Sequence, residues 1–166
     1  MFKTITYHLP YLFLFLGIVG LYMHIKIKGI VPSKQKIEIF LIYTFAFLIG
    51  AQGIYAFIGH AFLPAEVALS IGWSPSPHFQ FEIACANLSY GVLGILAIRW
   101  KGDFWSAIAI GISIFLWGSA FGHLKDIILS HNFAPSNAGY MLFYDIFTPL
   151  ILFALLKLRS LYKLIH

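Results

Sequence analysis

The chain has 166 residues, 60% of them hydrophobic and only 10% charged, and its mean hydropathy is +0.86. A water-soluble domain of this size carries about 25% charged residues, so a soluble fold is excluded and a membrane protein is implied. The net charge of +5 does not point to nucleic acid, because the basic residues fall at the ends of apolar runs, where they orient a chain and favour anionic lipid headgroups.

Five stretches approach the ~20 helical residues that cross a hydrocarbon core of ~30 Å: about 8–25, 37–62, 78–98, 104–124 and 139–158. None alternates apolar and polar residues as a barrel strand does, and a backbone without water is satisfied within a helix. The expected fold is all-α, five transmembrane helices forming one integral membrane domain over residues 1–166.

The first segment, Lys3 followed by LPYLFLFLGIVGLY, has the general form of a signal peptide. Cleavage would send the Lys26–Lys36 loop outward, and no small-residue cleavage site precedes that loop, so the segment is read as retained. Lys26, Lys28, Lys34, Lys36, Arg99, Lys101, Lys157, Arg159 and Lys163 fall on one side of the bilayer and only Lys3 and Lys125 on the other. Positive loops stay in the cytoplasm. An inner (plasma) membrane protein is expected, with the N-terminus and the loops 61–78 and 125–138 outside and the C-terminus cytoplasmic.

The second segment runs to YAFIGHA at 55–61, where His60 shares a helical face with Gly53 and Ala56, and Gln52 lies deeper. In the loop that follows, Ala65–Ile71 has the makings of a short interfacial helix, and Trp73 suits the headgroup level. Ser76 and Pro77 read as an N-cap and first helical position.

In the third segment Glu82 lies about five residues from the start, on a face continued by Cys85, Ala86 and Ser89 with Asn87 nearby. An unpaired carboxylate at that depth is costly, so it is expected to be neutral, paired or metal-bound. Cys85 is the only cysteine, which excludes an intrachain disulfide and leaves the redox compartment open.

The fourth segment ends in GSAFGHLKD, 118–126. GSAFG is a GxxxG pattern of the kind that brings helices close, so His123 is expected to face protein, with Lys125 and Asp126 in the interface. Pro135, Ser136 and Asn137 announce the fifth segment, in which Asp145 precedes Thr148 and Pro149. Proline has no N–H for the carbonyl four residues back, so a carboxylate and a free backbone oxygen coincide at Asp145.

Each Gly-His pair closes an outward-running helix, and an acid follows 22 residues after each, at Glu82 and Asp145. The second to fifth helices are therefore expected to form a bundle of two pseudo-repeated hairpins. His60, Glu82, His123 and Asp145 would then converge in the outer half as ligands for a divalent metal or as a proton relay. Gln52 and Asn87 extend the polar stripe inward. LGILAI and LILFALL remain unbroken, which favours an outward-facing pocket over a channel.

The combination of GH at 59–60, IGW at 71–73, SP at 76, Gln80, Glu82, ANLSYGVLG and a second FGH resembles a family of small polytopic membrane proteins of uncharacterised function, over roughly residues 45–150. In size and layout it is also similar to the DoxX-like group of small four-helix membrane proteins, some of them associated with quinone-linked redox systems. That resemblance implies a membrane redox setting, with a quinone or other membrane subunits as partners beside the lipid bilayer, and supplies no catalytic residue.

The leading expectation is a multi-pass protein whose polar pocket binds a metal, a proton or a small polar ligand, with enzymatic activity left open. Two rivals stand beside it: a non-enzymatic membrane subunit whose polar residues only fix helix packing, and a proton-coupled carrier.

Overall fold

A computed structural model describes residues 2–29 and 33–165, with the side chains of 2–9, 28, 33, 34 and 163–165 outside that description. Lys3, Lys28, Lys34 and Lys163 of the orientation count thus lie outside the described side chains.

The described residues form α1 (Phe2–Lys28), α2 (Ser33–Tyr43), a π-helical segment (Thr44–Ala51), α3 (Gln52–Phe62), α4 (Pro64–Ile71), α5 (Pro77–Leu96), α6 (Asp103–Ser130), α7 (Pro135–Ala138) and α8 (Tyr140–Ile165), with no strand among them. Five stretches are long and apolar enough to cross a membrane: Pro10–Ile27, Gln35–Phe62, Pro77–Leu96, Asp103–Ser130 and Pro135–Tyr162. The chain is an all-α, multi-pass membrane protein.

The boundaries differ from expectation where turn chemistry intervenes. α6 runs on to Ser130 and is stopped by His131 in a left-handed conformation (φ 50°), so Lys125 and Asp126 are helical and not part of a loop. The fifth span starts with the short α7 and breaks at Gly139 before α8. α4 forms where a short helix was expected over Ala65–Ile71, and ends at Gly72, φ 84°, a conformation glycine adopts without strain. Ser76 is the N-cap of α5 with Pro77 following, although its side chain makes no capping bond.

Packing follows two pairs, α3 with the following α5 and α6 with α8, while α5 and α6 touch only slightly. Small residues set the first pair. A Cβ on Gly53 would lie 2.8 Å from the Asn87 carbonyl oxygen, and one on Gly91 would lie 2.9 Å from the Ile54 nitrogen, so the two backbones are in contact. Gly118 and Gly122 play no such part, because a Cβ on either would meet nothing within 4 Å. The GxxxG of α6 marks open space in the structure instead of a helix contact.

α1 lies against α2 and the π-helical segment and turns most of its apolar side chains outward, Phe15, Ile18 and Tyr22 among them. The opposite arrangement holds inside the bundle. Leu41, Phe45, Trp105, Ile108, Ile112 and Leu152 form a continuous apolar core, on the side of the bundle away from α4 and α7. There Glu38 of α2 pairs with Lys101 at 3.2 Å and with Arg159 of α8 at 3.0 Å. Both cations also lie over the buried Trp105 ring, at 5.7 Å and 5.0 Å from its centroid.

Candidate functional site: a polar cavity beneath α4 and α7

At the end of the bundle carrying α4 and α7, a cavity of about 1290 Å³ opens between α3, α5, α6 and α8. His60, Gln52, Asn87, His123 and Asp145 all line it. Sequence reasoning therefore identified five of its polar groups, from four helices.

Glu82 is the exception. The face it shares with Cys85 and Ser89 is exposed on the outside of the bundle, and Glu82 does not line the cavity. The buried face of α5 is instead Gln80, Ala84, Gly91 and Gly94. Close approach to α3 requires the small residues, and Gln80 falls on their face one turn before Ala84, with Glu82 rotated away. The stripe of small residues was the signal for Gln80. Among the described residues, no group of three or more His, Cys, Asp or Glu side chains could hold a metal ion, so the four-ligand metal centre drawn from the sequence does not assemble.

The two histidines are held by carboxamides. His60 Nδ1 lies 2.5 Å from Gln80 Oε1, while His123, itself buried, places Nδ1 2.7 Å from Asn137 Oδ1. Asn137 is fully buried, and its Nδ2 donates to the Asn132 carbonyl at 2.8 Å and the His123 carbonyl at 3.4 Å. Two backbone acceptors fix which end of the amide is nitrogen. Asn137 Oδ1 must therefore accept, and His123 Nδ1–H must donate.

That assignment determines the other ring nitrogen. In a neutral imidazole with hydrogen on Nδ1, Nε2 carries a lone pair, and His123 Nε2 faces Asp145 Oδ2 at 3.7 Å. This is too long for a hydrogen bond. With the ring neutral and Asp145 ionised, two acceptors would face each other across a gap at the cavity wall, a gap closed by a proton on either group or by a donor between them.

Trp73 also lines the cavity. Trp73 Nε1 donates to Asp126 Oδ2 at 2.6 Å, and the indole stacks on the His123 ring with centroids 6.0 Å apart. Trp73 is thus turned inward to bind α6, and Asp126, expected only to face the interface, is its partner. Asn132 Nδ2 adds a bond to the Ile71 carbonyl at 2.8 Å, tying the turn after α6 to the end of α4.

Deeper in, Gln52 is only 4% exposed. Its Nε2 has Met141 Sδ at 3.9 Å, a weak contact, and its Oε1 has no hydrogen-bond partner among the described residues. Met141 is one helical turn from Asp145, so Gln52 abuts the same face of α8.

No curated protein and no solved structure matches this chain. One family model does match, over residues 7–163, nearly the whole chain. A polytopic helical protein with two carboxamide-held histidines beside a half-open cavity thus belongs to a family of unknown function, DUF6790.

Proposed function

We propose that the chain is a single integral domain of the inner membrane that binds a small, largely apolar molecule with a polar head in the cavity beneath α4 and α7. One observation carries this reading. His60, His123, Asp145, Gln52 and Asn87, from α3, α5, α6 and α8, line one cavity, while the other half of the bundle is filled by the apolar core around Phe45 and Trp105. Concave, mostly apolar sites with a few convergent polar groups are the usual form of small-molecule sites, and a closed far end suits a binding pocket better than a carrier.

The asymmetry of basic residues supports an N-terminus outside and a C-terminus in the cytoplasm, with the cavity opening outward. The likeness in layout to the DoxX-like group supports a redox setting, with a quinone ring as an occupant.

A packing role is the second reading, favoured by the internal partners of both histidines at Nδ1. The two separate experimentally. Gly118→Leu and Gly122→Leu place bulk in the cavity from positions where a Cβ meets nothing within 4 Å. On the binding reading, purified wild type retains a small molecule detected by native mass spectrometry and both variants lose it while staying folded. Equal small-molecule content in wild type and both variants, or none in any, would leave packing as the better account.

A further inference from the structure

We propose that the cavity takes an organic ammonium ion, its N–H groups received by Asp145, His123 Nε2 and Gln52 Oε1 and its apolar body lodged among the aromatic walls. The inference rests on the binding reading above and names its ligand class.

Three observations converge. First, the acceptors lack donors. Among the described residues Gln52 Oε1 is buried and unpartnered, and Asp145, 3% exposed, has only His123 Nε2, at 3.7 Å. Asn137 compels His123 to donate through Nδ1, which leaves the facing nitrogen of a neutral ring as an acceptor. A buried carboxylate without a partner is costly; a proton relieves the His123–Asp145 pair alone, whereas a ligand bearing several N–H groups on one cationic nitrogen satisfies the whole set, Gln52 Oε1 included.

Second, the charge is one-sided. In a chain of net charge +5, the lining among the described residues includes Asp145 and Glu66 and no Lys or Arg. An anion would find no fixed positive charge there. Third, Tyr55, Phe79, Phe115, Tyr140 and Tyr144 contribute to the walls, and ring faces attract cations. The absence of a basic residue also disfavours a phosphate-bearing headgroup, so a free amine fits better than a lipid amine.

The test uses the full chain in phosphatidylcholine nanodiscs, titrated with benzylammonium, benzyl alcohol and benzoate, reading thermal midpoint and tryptophan fluorescence. Benzylammonium is expected to bind at least tenfold tighter than benzyl alcohol, with benzoate weakest. Asp145→Asn removes that preference while benzyl alcohol still binds, and Glu82→Gln, on the outer face, changes nothing. If Asp145→Asn does not fold, Gln52→Met carries the test, with a several-fold loss for benzylammonium alone.

Benzyl alcohol or benzoate binding as tightly as benzylammonium overturns the cation assignment and leaves the cavity a binding site. No binding of any of the three overturns both. Adding phosphatidylethanolamine separates sources: competition with benzylammonium identifies a lipid amine as the occupant, and its absence identifies a free amine.

Discussion

Tyr144 of α8 donates its hydroxyl to the carbonyl of Leu48, 2.5 Å away, in the π-helical segment. In a regular α-helix that carbonyl would receive the N–H of Gln52. Here the Gln52 N–H turns to Phe47 and Ile49 instead. The wider turn, which π-bulges supply and which often marks functional sites, releases one carbonyl to a side chain of another helix, beside the cavity that both Gln52 and Tyr144 line.

Tyr144→Phe is therefore expected to cost about 1 kcal/mol, the usual scale for an interhelical hydrogen bond in a membrane, because a buried acceptor is left unpaired. Hydrogen exchange at the Gln52 amide should slow as its N–H takes over the released Leu48 carbonyl in α-helical register. Unchanged unfolding and exchange in the variant would show that the Leu48 carbonyl does not depend on Tyr144.

The glycines give a sharper contrast. Gly91→Ala drives a Cβ to 2.9 Å from the Ile54 nitrogen and 3.1 Å from the Gly53 carbonyl carbon. Backbone cannot swing aside as a side chain can, so the loss should reach or exceed the ~1–3 kcal/mol of ordinary overpacking. Gly118→Ala and Gly122→Ala meet nothing within 4 Å and should be neutral or slightly stabilising, since alanine is the better helix former. Thermal unfolding of the three variants side by side decides the matter, and equal losses would contradict it.

Those glycines show what was readable in the sequence and what was not. Segment number and type followed from hydropathy, because nothing but a helix satisfies an isolated backbone in lipid. His60, His123, Asp145, Gln52 and Asn87 were recognisable because polar groups within apolar runs are expensive and face protein. Glu82 misled: an expensive residue was assigned inward, whereas the contact of α5 with α3 turns Gln80, Ala84 and Gly91 inward and Glu82 out. Composition shows that a face exists, but which face is buried depends on where backbones meet. Asn137 and the pairing of Trp73 with Asp126 were invisible for a different reason. Each depends on the path of a turn or loop, after α6 for Asn137 and after α4 for Trp73, and no periodicity encodes that path.

Asn137→Ala tests the largest of these unforeseen ties. The side chain is 0% exposed and serves three groups, the His123 ring, the His123 carbonyl and the Asn132 carbonyl. Removing it leaves buried donors and acceptors unpaired, at ~1–3 kcal/mol for each that water does not reach, so a loss of about 2 kcal/mol or more is expected. The same variant frees the His123 ring to turn over, and cavity binding should weaken with it. A variant as stable as wild type would mean that water replaces the carboxamide.

At the other end of the bundle, Glu38 holds two cations of unequal exposure, and salt should distinguish them. Lys101 is 42% exposed and Arg159 only 14%, and both lie over the face of Trp105. An exposed ion pair is worth ~0–1 kcal/mol and is screened by added salt. A partly buried guanidinium, bonded through Nε and set against an aromatic face, is screened less and gains from the ring as well. Double-mutant cycles should therefore give a Glu38–Lys101 coupling that falls toward zero at high salt and a Glu38–Arg159 coupling that persists. Arg159→Lys should lose part of that coupling although the charge is kept, because an ammonium neither matches the fork nor lies flat on the indole. Couplings that decline in parallel would show that the two cations share one solvated environment and that Trp105 contributes nothing to the choice between them.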